Sequence, residues 1–299
     1  MNNVKSTFSI KDLENLTGIK AHTIRIWEKR YNLLQPERTD TNIRFYNLGS
    51  LQKLLNISYL NNNGYKISKI AGLDNDEIRK LVKDVAQSDA TNNHALDAFK
   101  LSMLNFDQKL FYDTYDGLLK EKSFTDMFYE DLIPLLSEIG LLWQTDTITP
   151  AHEHFLTSLI RQKILINTEK IQSENRVTTN KVFVLYLPDN EVHELGLMLI
   201  NYELIARGHQ SIFLGQSVPL NSLRDILGYY DDITFVSYFT VKPEKDQIDD
   251  YIKDFSEQIL IKESSRLWVL GRMLEEINLN SLPDRIVPFD TIKNLVKKL

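Results

Sequence analysis

TGIKAHTIRIWEKRYNLLQPERTDTNIRFY, residues 17–46, is the stretch that decides the fold of the N-terminal part of this chain. Before it, residues 10–16 have the spacing of a short amphipathic helix with Ser9 as its N-cap, and Thr17-Gly18 ends that helix. Residues 21–31 form a second helical pattern, whose apolar residues can face the first helix. Two short helices joined by a glycine-containing turn predict a helix-turn-helix, whose second helix enters the major groove of DNA.

The residues after the second helix predict a wing. Two short extended segments flank a polar turn within residues 34–46, and such a wing can carry Arg38, Arg44 and Tyr46 to DNA phosphates. Charge favours the same function, since residues 1–72 hold 11 Lys/Arg and 5 Asp/Glu while the remainder of the chain holds 24 and 36. A basic head on an acidic body is typical of a nucleic-acid reader joined to a ligand-binding or oligomerising part, although chance variation in surface charge gives the same asymmetry.

This N-terminal region, residues 1–74, resembles the DNA-binding domain of the MerR family. The matching positions are Thr17-Gly18, Thr23-Ile24-Arg25, Trp27-Glu28, Arg30-Tyr31, Pro36, Arg38, Arg44 and Tyr46, and residues 48–71 resemble the family's next two helices. The resemblance implies a winged helix-turn-helix that reads double-stranded DNA and binds two-fold sites as a dimer. The side chains that it implies as DNA contacts are Lys20, His22, Thr23 and Arg25 on the recognition helix, and Arg38, Arg44 and Tyr46 on the wing.

Composition narrows the remaining possibilities. The chain has 299 residues, which suggests about two domains, and it has no cysteine, which excludes disulfides, zinc–cysteine sites and thiol catalysis. It has neither an apolar stretch long enough to span a membrane nor a signal peptide, so we expect a soluble, cytoplasmic protein with no membrane partner. No catalytic carboxylate pair, nucleophile triad or glycine-rich phosphate loop is visible in the sequence, so we expect that the chain is not an enzyme.

Residues 75–172 predict a helical bundle. Amphipathic helical patterns occur at about 75–87, 91–103, 106–121, 124–142 and 150–170. Glu153 and His154 follow Trp143 after nine intervening residues. By themselves these side chains fit an ordinary bundle, in which the tryptophan packs in the core and the other two lie on the surface near a helix N-terminus.

Residues 181–299 predict a doubly wound parallel sheet of the flavodoxin-like type. Strand patterns at 181–187, 210–214, 233–238, 266–270 and 286–289 alternate with helical patterns at about 195–207, 220–229, 244–261 and 290–298. Ligands of such sheets bind beyond the C-terminal ends of the strands, at the point where the strand order reverses. We therefore expect a multidomain α and α/β protein.

Polar residues and glycines lie at the ends of these predicted strands. Glu191, His193 and Gly196 follow the first strand, Ser237 lies at the end of the third, and Gly271 follows the fourth. A histidine two residues beyond a carboxylate can bind a metal through one ring nitrogen while the carboxylate accepts a hydrogen bond from the other. A solvated loop in which Glu191 caps the next helix fits the same residues.

The combination of Glu191-x-His193-x-x-Gly196 with Ser237 and Gly271 resembles the cobalamin-binding domain of corrinoid proteins. Together with the MerR-like head and the spaced Trp143 and Glu153-His154, it makes the whole chain similar to the CarH/LitR-type regulators. The resemblance implies a repressor, a dimer or tetramer, that is controlled by adenosylcobalamin bound between the bundle and the C-terminal domain, and that responds to light. It implies His193 as the lower axial ligand of cobalt and Glu191 as the residue that orients it. The other implied cofactor contacts are Gly196, Ser237 and Gly271 along the nucleotide tail, and Trp143, Glu153 and His154 beside the upper ligand.

Three residues depart from the pattern of that family. Arg272 stands where a second glycine is usual, Phe239 stands where leucine is usual, and Gln144 follows the tryptophan where some light-sensing members have histidine. An alternative is therefore a MerR-like regulator with a degenerate pocket, controlled by a protein partner or another ligand. A corrinoid methyl carrier or mutase subunit has no use for a DNA-binding head, and a phosphoacceptor receiver domain needs an aspartate where Ser237 stands.

Overall fold

The structure is a computed structural model that describes residues 7–88, 92–144, 147–174, 177–178, 181–277 and 282–299. It forms two compact units, Met1–Leu159 and Ile160–Leu299. The N-terminal head and most of the helical segment lie in the first unit, and the domain limits that the sequence suggested after residues 74 and 172 stay predictions. No helix in the described ranges is long and apolar enough to cross a membrane.

The head has the helices that the sequence predicts. Strand β1 (Thr7–Ser9) leads into helix α1 (Ile10–Thr17), and α2 (Ala21–Tyr31) follows after the turn. The hydroxyl of Ser9 accepts from the backbone N–H of Asp12, whose carboxylate in turn accepts from the backbone N–H of Ser9. This reciprocal capping box begins α1. The left-handed conformation of Gly18 ends it.

A three-stranded antiparallel sheet forms the wing. Strands β2 (Glu37–Arg38) and β3 (Arg44–Asn47) are the predicted pair, and β1 adds a third strand on the other side of β3, in the order β1-β3-β2. The head then continues with helices α3 (Leu48–Asn62) and α4 (Ile67–Ile70). The two additional helices that the family resemblance implied for residues 48–71 are therefore present.

The segment that the sequence predicts as a helical bundle is helical in the structure. They are α5 (Asn75–Ser88), α6 (Asn92–Asn105), α7 (Gln108–Leu118), α8 (Phe124–Met127), α9 (Ile133–Gln144) and α10 (Pro150–Glu174). The pattern over 124–142 predicted one helix, but a π-helical turn at Phe128–Leu132 separates α8 from α9. Aromatic side chains fill the core of this segment, as in the contact of Phe99 with Phe111 at 5.2 Å between ring centroids.

The C-terminal unit is a doubly wound parallel sheet. Its strands are β4 (Val182–Tyr186), β5 (Gln210–Gly215), β6 (Ile233–Tyr238), β7 (Arg266–Leu270) and β8 (Ile286–Pro288). They pair in the order β5-β4-β6-β7-β8, and every pair is parallel. Helices α11 (Leu195–Ala206), α12 (Ile248–Gln258) and α13 (Ile292–Val296) connect or follow the strands, with 3-10 segments at Leu220–Gly228 and Arg272–Glu276.

This strand order fixes the place of a ligand site. The chain passes from β4 to one side to form β5 and then returns to form β6 on the other side, so the strand order reverses between β4 and β6. The loops that leave the C-terminal ends of these two strands border a crevice where such sheets bind ligands. Glu191 and His193 lie in the first of these loops, and Ser237 lies at the end of β6.

Candidate functional sites

A buried carboxylate organises the loop after β4. The side chain of Glu191 is completely inaccessible to solvent, and both of its oxygens accept hydrogen bonds. Oε1 accepts from the backbone N–H groups of Val192 and His193 at 2.9 and 3.0 Å and lies 2.6 Å from Nδ1 of His193, while Oε2 accepts from the N–H groups of Thr240, Val241 and Lys242 at 3.1, 2.7 and 2.9 Å. One carboxylate therefore holds together the loops that follow β4 and β6.

These hydrogen bonds keep Glu191 ionised. Burial alone raises the pKa of the carboxyl group, but the hydrogen bonds from the imidazole and from the backbone N–H groups outweigh it and lower the pKa to about 2. An ionised carboxylate can only accept, so Nδ1 of His193 carries the proton and donates it to Oε1. In the neutral ring the lone pair is then on Nε2, which is the nitrogen that a metal would bind.

The ring of His193 is accessible as well as oriented, since 52% of its side chain is exposed. Within the described residues there is no group of three or more His, Asp or Glu side chains that could hold a metal ion. One oriented imidazole is too few ligands for a free cation but is sufficient for a metal that arrives inside a macrocycle, as cobalt does in a corrin ring. The pair of Glu191 and His193 therefore fits a metal that is held by such a macrocycle.

The other predicted cofactor residues of this unit contact neighbouring protein groups. The hydroxyl of Ser237 is buried and donates to the carbonyl oxygen of Tyr186 at 2.9 Å. A Cβ at Gly196 would lie 2.8 Å from the ring of Tyr238, and a Cβ at Gly271 would lie 2.3 Å from the carbonyl oxygen of Phe239. Gly271 has a φ of 111°, which favours glycine, and its lack of a side chain allows the backbone of the loop between β6 and α12 to approach closely.

Two of the residues that depart from the family pattern have clear positions. Arg272 is exposed, so its side chain is not buried in the sheet's core. Phe239 is completely buried and packs edge-on against Tyr251, with 5.6 Å between the ring centroids. The side chain of Gln144, the third departure, lies outside the described residues.

The helical segment presents its own candidate residues. Trp143 is 54% exposed, so the interpretation as a core tryptophan is wrong. The carboxylate of Glu153 lies 2.6 Å from Nδ1 of the exposed His154. This second carboxylate–imidazole pair begins α10, beside the buried His152, which stacks on Phe106 with 4.9 Å between ring centroids.

Sequence reasoning missed several groups next to His193. Glu194, the next residue, forms an ion pair with Arg161 of α10 at 2.5 Å. The hydrogen bonds from the backbone N–H groups of residues 240–242 were not predicted either, because any residue type can supply a backbone donor. Only the carboxylate of Glu191, which needs a partner when it is buried, could have indicated them.

The recognition helix and wing expose most of the predicted DNA contacts. Lys20, His22, Arg25 and Arg38 are exposed, and Thr23 and Arg44 are partly buried. Tyr46 is completely buried, and its hydroxyl donates to Glu28 at 2.5 Å. Burial and this hydrogen bond raise the pKa of Tyr46. The expectation of a DNA contact at Tyr46 is therefore corrected: its side chain holds the wing against α2.

Similarity to known proteins agrees with these features. Residues 8–77 match the MerR HTH family of regulatory proteins, and residues 95–166 match the B12 binding domain. The chain is 30% identical to the HTH-type transcriptional repressor CarH of Myxococcus xanthus over 79% of each chain. The chain belongs to the CarH-type branch of the MerR regulators. The HTH-type transcriptional repressor CarA of Myxococcus xanthus is also similar, at 24% identity over 73% of this chain and 71% of its own length.

A solved structure supports the fold of this regulator. The monomethylamine corrinoid protein of Methanosarcina barkeri has a TM-score of 0.57 and 13% identity, with 70% of this chain and 98% of that protein covered. At that identity the likeness concerns the fold. Family membership confirms the predicted class, a DNA-binding transcription regulator with a MerR head and a B12-binding domain, and with it the expectation of cobalamin control.

Proposed function

We propose that this regulator is a repressor that binds a two-fold DNA site as an oligomer and changes its DNA affinity when adenosylcobalamin binds through His193. The observation that carries the proposal is the pair formed by the buried, ionised Glu191 and the exposed ring of His193. A regulator of this kind acts in the compartment that holds the DNA, and we propose no catalytic activity for it.

The chemistry of His193 suits a cobalt ion held by a corrin ring. The corrin would supply most of the cobalt ligands, so the protein would need to provide one neutral imidazole with a fixed tautomer. Glu191 fixes that tautomer and increases the basicity of the ring. Because the same carboxylate accepts from the N–H groups of residues 240–242, coordination at His193 would be linked to the position of the loop after β6.

We propose three residues of the helical segment as further cofactor contacts. Trp143 offers an exposed aromatic surface to an adenosyl group, and the exposed pair of Glu153 and His154 offers hydrogen-bonding groups. When bound, adenosylcobalamin supplies a cobalt–carbon bond that light can break, which is the basis of the light response that we propose. Loss of the upper ligand would remove contacts made only in the bound state and so change the equilibrium between conformations.

The head supports the DNA-binding part of the proposal. Lys20, His22 and Arg25 lie on or next to α2 with exposed side chains, and Arg38 is exposed on the wing. Basic side chains on a recognition helix and an adjacent wing can contact bases in the major groove and the phosphates beside it. We therefore propose these four residues, together with the partly buried Thr23 and Arg44, as the DNA contacts.

The cofactor proposal is tested by the visible spectrum of the full chain. The protein is mixed with adenosylcobalamin in the dark, desalted, and measured before and after green light, alongside His193→Ala and the control His22→Ala. We expect wild type and the control to retain colour with the same spectrum, His193→Ala to show altered cobalt coordination, and light to change the wild-type spectrum. A wild-type protein that desalts colourless would contradict the proposal.

A regulator with a degenerate pocket is the second candidate function. The observation that favours it is the ring of Tyr238, which lies directly against Gly196 where the family resemblance places the nucleotide tail. In that case a protein partner or another ligand would control the head. The colourless result would support this candidate, while retained colour that depends on His193 would exclude it.

A further inference from the structure

Tyr238 fills the space beside Gly196. Tyr238 is the last residue of β6, and Gly196 lies in the first turn of α11. Three ring atoms of Tyr238 lie 2.8, 3.1 and 3.3 Å from the position that a Cβ at residue 196 would take. The glycine therefore serves a packing contact with an aromatic ring, and the loop of His193 and Glu194 that leads into α11 ends two residues before this glycine.

The neighbours of Tyr238 along β6 are fixed in the core. Ser237 is held by its hydrogen bond to the carbonyl of Tyr186, and Phe239 is buried against Tyr251. Because successive side chains of a strand point to opposite faces of the sheet, Tyr238 alone of the three points toward α11. Its side chain is partly exposed, so a change of its χ1 rotamer would move the ring away from Gly196 without unfolding β6.

We propose that Tyr238 makes the site select corrinoids by their lower nucleotide tail. This inference rests on the proposed function, in which His193 coordinates cobalt, and on the place beside Gly196 that the family resemblance implies for the nucleotide tail. A corrinoid without the tail needs only the imidazole and the corrin contacts, and it binds with the ring of Tyr238 in place. A complete cobalamin binds only to the conformation in which the ring has left Gly196, and its apparent affinity falls by the fraction of molecules in that conformation.

The test compares two ligands and two variants of the full chain. Adenosylcobalamin and adenosylcobinamide, which lacks the nucleotide tail, are titrated in the dark into wild type, Tyr238→Ala and Tyr238→Phe, and the Kd is obtained from the visible spectrum. Tyr238→Phe is the matched control, because it keeps the ring and removes only the hydroxyl. Thermal unfolding of each apo protein verifies that the variants fold.

We expect wild type and Tyr238→Phe to bind adenosylcobinamide about tenfold or more tightly than adenosylcobalamin, which is the order expected when an aromatic side chain must give up its packing. Tyr238→Ala should bind adenosylcobalamin about tenfold more tightly than wild type, with less than about a threefold change for adenosylcobinamide. If both ligands bind wild type equally and Tyr238→Ala changes neither, this inference fails while the proposed function stands. If no variant binds either ligand, the proposed function fails and this inference fails with it.

Discussion

Replacement of Glu191 by glutamine probes the centre of the site with almost no change in shape. The two oxygens of Glu191 each accept three hydrogen bonds, and a glutamine side chain has only one oxygen. An amide group placed on the Oε2 side would face three backbone donors. Placed on the Oε1 side, it would face two backbone donors and Nδ1 of His193, which can accept once it loses its proton.

The amide group on the Oε1 side costs less free energy, so this orientation determines the expected change in stability. The N–H groups of Val192 and His193 would lose their acceptor in a buried position, at about 1–2 kcal/mol each, so we expect Glu191→Gln to lower the free energy of unfolding by about 2–4 kcal/mol. The amide would donate to Nδ1, so the ring proton would move to Nε2. The variant should therefore also lose coordination of cobalt by His193.

Urea unfolding followed by circular dichroism measures the first effect, and the visible spectrum with adenosylcobalamin in the dark measures the second. Glu244→Gln is the control, because it neutralises a carboxylate that is 53% exposed and paired with Lys242 of the same loop. We expect this control to change stability by less than about 0.5 kcal/mol. A Glu191→Gln protein with wild-type stability and a wild-type cobalt spectrum would refute the role assigned to this carboxylate.

Further predictions concern other parts of the molecule. Arg25→Ala should weaken DNA binding and reduce the slope of log affinity against log salt by about one, as measured by fluorescence anisotropy at several salt concentrations. Tyr46→Phe should cost about 1 kcal/mol in urea unfolding without changing the DNA affinity of the folded protein, and weakened DNA binding would contradict its buried position. Burial lowers the pKa of His152, so the folded state binds fewer protons than the unfolded state. The free energy of unfolding should therefore fall as the pH drops below about 6.5. His152→Gln should flatten the dependence of the melting temperature on pH across that range. Gly271→Ala would place a Cβ 2.3 Å from the carbonyl oxygen of Phe239, so the free energy of unfolding should fall by more than about 3 kcal/mol. A near-wild-type melting temperature would contradict the close packing.

Local signals in the sequence predicted the head with little error. Ser9 and Gly18 carry the capping chemistry that begins and ends α1, and α2 covers the predicted residues 21–31. Strand β1 escaped prediction because three residues are too few to show alternation. The burial of Tyr46 also escaped, because a tyrosine on a wing strand can face either DNA or the core, and its contact with Glu28 joins residues 18 positions apart.

The C-terminal unit shows where sequence reasoning reaches its limit. The strand patterns and the spacing of Glu191, His193 and Gly196 predicted the sheet and the loop that borders its crevice, and the Nδ1–Oε1 contact of 2.6 Å agrees with the predicted orienting role. The roles proposed for Gly196, Ser237 and Gly271 as direct cofactor contacts stay predictions. Their observed neighbours are protein groups, which depend on packing between distant segments that no residue spacing encodes.

The affinity of the full chain for DNA, with and without adenosylcobalamin in the dark, tests the central claim most directly. A duplex site is first selected from a random pool, and its Kd is then measured by fluorescence anisotropy for wild type and His193→Ala at one salt concentration. We expect adenosylcobalamin to change the wild-type Kd by about tenfold or more and to leave the Kd of His193→Ala within about twofold. Equal DNA affinities for the cofactor-loaded and cofactor-free wild type would contradict control of this regulator by cobalamin.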